Sequence, residues 1–80
     1  MFTIKSVSDE GTYYLVNHWN KAGTFWKSAS QIRRSDMFKT AGQAKASLTK
    51  LLKVMDDYAT DTFSIIETDD TDKIISEIDL

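Results

Sequence analysis

Residues 40–58, TAGQAKASLTKLLKVMDDY, decide the fold of this 80-residue chain. Within them Ala41, Ala44, Leu48, Leu51, Leu52, Met55 and Tyr58 recur at intervals of three and four. On a helix these side chains fall in one sector of roughly 120°, a stripe that must be buried against something. Thr40 followed by Gln43 matches a capping box with Thr40 as N-cap, because the hydroxyl can accept a bond from an otherwise orphaned backbone N–H. There is no proline anywhere to break the pattern. The spacing predicts a helix over 41–57. Lys50 and Lys53 point away from its apolar stripe and Lys45 sits at the edge.

The periodicity changes from helical to alternating on both sides of this segment. Phe2-Thr3-Ile4-Lys5 alternates apolar and polar residues, as a half-buried strand does. Ser8-Asp9-Glu10-Gly11 is a turn signal, and Tyr13-Tyr14-Leu15-Val16 suits a pleated surface. Asn20-Lys21-Ala22-Gly23 marks another turn, and Thr24-Phe25-Trp26-Lys27 a short strand. Beyond the helix, Thr62-Phe63-Ser64-Ile65-Ile66-Glu67 reads as a fourth strand. The expected fold is α+β: a small antiparallel sheet of strands 2–7, 12–18, 24–28 and 62–67, packed by one face on the helix. Leu48, Leu51, Leu52 and Met55 then meet Ile4, Leu15 or Val16, Phe25 or Trp26, and Ile65 or Ile66.

Two segments admit more than one structure. In the connection from Ser28 to Lys39, residues 30–34 can form a helical turn, and Met37-Phe38 can form an extended piece that pins the connection to the core. The acidic tail, residues 68–80, reads as a hairpin strand over Lys73–Ile78, as a short helix, or as a flexible end. Its branched residues favour the strand.

One domain fits this length, and a domain this short buries only about 60% of its unfolded surface. With no Cys, disulfides and thiolate metal sites are excluded, and one His rules out His-rich zinc ligation. No apolar run approaches the roughly 20 residues of a membrane span. The start, MFTIKSVSDEG, has neither the basic region nor the apolar run of a secretory signal. The expectation is a soluble cytoplasmic protein without cofactor, metal or membrane partner.

The net charge of −2 conceals a sorted distribution. Residues 19–53 carry eight cations against one acid, Asp36, for +7; residues 54–80 carry nine acids against Lys73, for −8. Such sorting points to a charged partner, to a match between the two halves, or to a homodimer in which opposite stretches meet. Trp19, Lys21, Trp26, Lys27, Arg33 and Arg34 combine cations with aromatic faces, a pairing that suits single-stranded nucleic acid. The bland alternative makes the tryptophans core and the cations a solvated face. Adjacent Phe25 and Trp26 are expected on opposite sheet faces, leaving one aromatic away from the helix. Asp69, Asp70 and Asp72 are candidates for a contact with a partner or for a solubilising tail, and their spacing does not fit a calcium loop. His18 is expected at a strand end facing water. No nucleophile elbow, phosphate-binding loop or dinucleotide fingerprint occurs, so the chain is read as non-enzymatic.

The succession of hairpin, Phe25-Trp26-Lys27, Met37-Phe38-Lys39-Thr40, Gln43-Ala44-Lys45 and Phe63-Ser64-Ile65-Ile66-Glu67 resembles a loose group of small tailed-phage accessory proteins. Members carry a tryptophan strand, an Ala-x-x-Phe-x-Thr element before a helix, and a final strand ending in an acid. The resemblance spans about residues 2–67. It departs from the group where Ser35 or Asp36 stands near the expected Ala. It implies a phage origin, with the host cytoplasm as location and a host protein as partner, and a role in host takeover or as an anti-defence inhibitor.

Overall fold

The computed structural model describes residues 1–19, 25–54 and 61–80. Strands β1 (Phe2–Ser8), β2 (Gly11–Leu15), β3 (Trp26–Lys27), β4 (Thr62–Thr68) and β5 (Ile74–Asp79) accompany a single helix among these residues, α1 (Ala41–Val54). The strands form one sheet in the order β3-β2-β1-β4-β5, with every neighbouring pair antiparallel. The expected α+β class is the one observed.

The first strand is central because both of its edges are taken. β2 follows it through a tight turn at Gly11, whose φ of +129° suits a residue without a Cβ. β4 returns from the helix to the other edge, setting Ile4 opposite Ile65 and Ser6 opposite Phe63. Since side chains alternate, Ile4, Leu15, Trp26, Phe63 and Ile65 share the face that meets the helix. Ala44, Leu48 and Leu51 are buried against Ile4, Leu15, Phe38 and Ile65, and Ala41 and Leu52 flank them. The N-cap forms as the sequence implies: the backbone N–H of Gln43 donates to Thr40 Oγ1 at 3.1 Å.

Several boundaries differ from the sequence reading. The second strand stops at Leu15, and Asn17 and His18 form a turn instead of continuing to 18. The third strand is two residues, although Val16 N still donates to Phe25 O at 3.0 Å. The helical turn of the connection is a 3-10 turn at Arg34–Asp36, later than residues 30–34. The helix is described to Val54; the expected residues 55–57, and with them Met55 and Tyr58, lie outside the described residues, as does Lys21. The tail is a strand, as its branched residues favoured, and β5 pairs with β4 with a bulge opposite Glu67 and Thr68.

The connection reaches the core in the expected way. Phe38 forms an isolated bridge with Phe2, with reciprocal bonds of 2.8 and 2.6 Å. The connection also brings burial to the sheet face away from the helix, where a one-sided sheet would be wet. There Met37 lies against Thr68, whose Oγ1 is 3.6 Å from its sulfur, and Thr3, Val16 and Ile66 are buried as well. Neither Phe25 nor Trp26 is the exposed aromatic expected: both pack against the main core, Trp26 stacking on Phe63 with ring centres 6.3 Å apart.

Leu51 is fully buried at the centre of the helix stripe. Replacing it with Ala is expected to cost about 3 kcal/mol through lost transfer energy and the cavity left behind. Urea denaturation checks this as a lowered midpoint with unchanged slope.

Candidate binding surface

Three local arrangements gather the chemistry-bearing side chains. The first centres on Asp36, the lone acid of the basic stretch, which is only 4% exposed. Its carboxylate accepts from His18 Nε2 at 2.6 Å, from Lys27 Nζ at 3.2 Å and from the backbone N–H of Arg33 at 3.0 Å. Its carbonyl accepts from Asn17 N at 2.8 Å. Burial pushes the Asp36 carboxyl up, but the bonds from His18, Arg33 and Lys27 outweigh it and hold the group at about 2. His18 therefore does not simply face water. Its ring is 56% exposed, yet one nitrogen is committed to a buried carboxylate. Among the described residues no nucleophilic side chain is bonded to the exposed side of this pair. Its evident role is to fasten the end of β2 and the strand β3 to the connection.

The second arrangement joins the two oppositely charged halves. Arg34 Nη1 donates to the Asp69 carbonyl at 2.9 Å, and its guanidinium lies 3.5 Å from both Asp70 and Asp72. Lys5 Nζ meets Glu77 at 3.0 Å across the sheet, and the Glu77 bond draws the Lys5 pKa upward. Asp69 is occupied by the turn itself. Its Oδ1 accepts from Thr71 N, Thr71 Oγ1 and Lys73 N at 2.9, 2.8 and 3.0 Å. The Thr71 hydroxyl and these two N–H groups hold its carboxyl below the usual value. Asp72 supplies the left-handed residue of that turn, with φ of 64°.

The third is a shallow cleft of about 540 Å³ between residues 17–19 and the exposed side of α1. Trp19 forms its wall, half-buried, with Nε1 donating to Ser47 Oγ at 2.7 Å and Lys50 Nζ 5.6 Å above the ring. Phe25 packs against it with ring centres 5.4 Å apart and the planes tilted by 49°. Lys50 is the lysine that lines this cleft, and among the described residues no acid pairs with it.

The residues nominated by the sequence do not form one site. Arg34 is brought together with Asp69, Asp70 and Asp72; Lys27 is consumed by Asp36; Trp26 stacks inside; Trp19 lines the cleft; and Arg33 is exposed. What the sequence reading missed is that β5 is outermost and, among the described residues, no strand pairs with its outer edge. Ile74, Ile75, Ile78 and Leu80 are 49%, 56%, 59% and 54% exposed on and beside this outermost strand. The repeated Ile in an acidic tail was the available signal. It pointed to pairing with β4 without showing that the strand would be outermost.

Among the described residues, no group of three or more His, Cys, Asp or Glu could hold a metal ion, and no helix is long and apolar enough to cross a membrane. Comparison with family models, curated proteins and solved structures returned no match to this chain.

The depressed value of Asp36 makes its contribution pH-dependent. Stabilisation of about 2 kcal/mol is fully present above the ordinary carboxylate value near 4 and is lost as pH falls towards about 2. Acid denaturation of Asp36→Asn, followed by circular dichroism, is expected to begin from lower stability at neutral pH and to lack that share of the loss between roughly pH 4 and 2.

Proposed function

We propose that this chain is a non-enzymatic protein-binding module, a small phage accessory protein that attaches to a host protein in the host cytoplasm and modulates it. The observation that carries the reading is the group of exposed apolar side chains on β5. Soluble monomers seldom gather several large branched side chains on one open edge strand unless something covers them. The internal ion pairs of Arg34 and Lys5 support the same reading, because they tie acids of the tail to the fold and so hold β5 in place as an outer strand. The resemblance to phage accessory proteins supports a bacterial host protein as the partner.

A second reading rests on the cleft. Trp19 under Lys50 offers an aromatic face and a cation to a single strand of nucleic acid. It is the weaker reading because the Trp19 ring is already packed against Phe25 and its N–H is already bonded to Ser47.

The tagged protein is expected to retain a specific protein from nuclease-treated bacterial lysate, and Ile78→Lys is expected to release it while the thermal midpoint stays within a few degrees. Retention unchanged by that substitution removes β5 as the contact. In electrophoretic shift assays at low salt, the binding-module reading expects no complex with single-stranded probes; a complex weakened by Lys50→Ala and by added salt would favour the cleft instead.

A further inference from the structure

Resting on the protein-binding reading, the geometry points to strand addition: the partner supplies an extended segment, alternating basic and apolar residues, that pairs along β5 as a sixth strand.

The backbone defines which groups are available. Leu80 N donates to Phe63 O at 3.0 Å, and the register continues through Ile78 opposite Ile65 and Ser76 opposite Glu67. In an antiparallel ladder alternate residues exchange bonds with one neighbour. Leu80, Ile78 and Ser76 therefore address β4, and Glu77 and Asp79 turn their N–H and C=O groups outward. The opposite edge of the sheet has no comparable length, since β3 is only Trp26–Lys27.

The side chains define the ligand. Residues of an added strand directly opposite Glu77 and Asp79 lie on the same face as those acids. Cations there face two carboxylates, one already near Lys5 and the other accepting from Ser64 Oγ at 3.1 Å, each with a further oxygen to offer. The residue between them lies opposite Ile78, and an apolar side chain there covers the exposed isoleucine. The recognised pattern is basic–apolar–basic, in extended form.

The same geometry argues against a second copy as the occupant. Any antiparallel register that pairs residues 76–80 with their equivalents sets Glu77 or Asp79 against an acid of the other chain. The bulge before Ser76 interrupts longer registers. The edge thus repels itself and accepts a cationic strand.

The test uses the whole chain and a blocked heptapeptide, Thr-Lys-Val-Lys-Val-Lys-Thr, with two controls: the same peptide N-methylated at alternate residues on its pairing edge, and a Glu-for-Lys version. The parent peptide is expected to slow amide exchange at Glu77 and Asp79 by about tenfold or more at saturation. N-methylation, which removes backbone donors but keeps the charge, is expected to weaken binding about tenfold, and the Glu version to abolish it. Equal binding of the parent and N-methylated peptides overturns strand addition in favour of plain charge attraction. Failure of the parent peptide, while Ile78→Lys still releases a captured protein, overturns strand addition and leaves the protein-binding reading standing. If a captured protein is indifferent to Ile78→Lys as well, both fall.

Discussion

The carboxylate of Asp36 holds together segments that the sheet alone would leave loose. β2 ends early, β3 is two residues long, and the described part of the connection that follows has a single 3-10 turn. A buried carboxylate is costly unless its lone pairs are filled. Here they are filled by His18 from just beyond β2, by Lys27 from β3 and by the backbone of Arg33 from the connection. With that point fixed, Asn17 bonds the carbonyls of Ser35 and Met37, and Phe38 pairs with Phe2 beside the central strand. The connection then delivers Met37 to the second face of the sheet and Arg34 to the acidic turn before β5. A chain without cysteine has no disulfide to do this, and its core is small.

The sorted charge takes its meaning from that placement. One-dimensional sorting suggested a large dipole awaiting a partner. In three dimensions the connection crosses to the β4–β5 turn, so Arg34 meets Asp70 and Asp72, and the central strand carries Lys5 to Glu77. These exposed pairs are each worth little, on the order of 1 kcal/mol or less. Their consequence is geometric: Arg34 ties the turn from which β5 starts to the connection, and Lys5 ties the middle of β5 to the central strand. Further positive charge lies on the far side, along α1 and around Trp19. The two ends of the molecule therefore present different chemistries, a cationic helix face and an apolar edge studded with acids.

The helix, its N-cap, the central strands and their core residues were legible in the sequence because each is a local pattern. Ala44, Leu48 and Leu51 declare a helix face by spacing, and Ile4 and Ile65 declare strands by alternation. Asp36 could not be read as a hub, because its side-chain partners lie nine and eighteen residues away and nothing in their spacing announces a shared carboxylate. The aspartates of the tail looked like a binding cluster, whereas Asp69 bonds its own turn and Asp72 takes its left-handed position. Phe25 offered the clearest failure of a local rule. Alternation from Trp26 predicts that it turns away from the core, but it lies just outside the two-residue β3, and both rings pack against the core.

By itself the sequence determined the α+β class, the helix and its buried stripe, and the capacity of the tail to form a strand. These follow from periodicity and side-chain shape, which act between near neighbours. Only the tertiary structure decided that opposite charges would be matched internally at Arg34 and Lys5, that Asp36 would become the fastening point, and that β5 would lie at the outside with its isoleucines uncovered. Those outcomes depend on which strand lies beside which. Strand order is set by where the returning chain finds the free edges of β1, information that no local pattern contains.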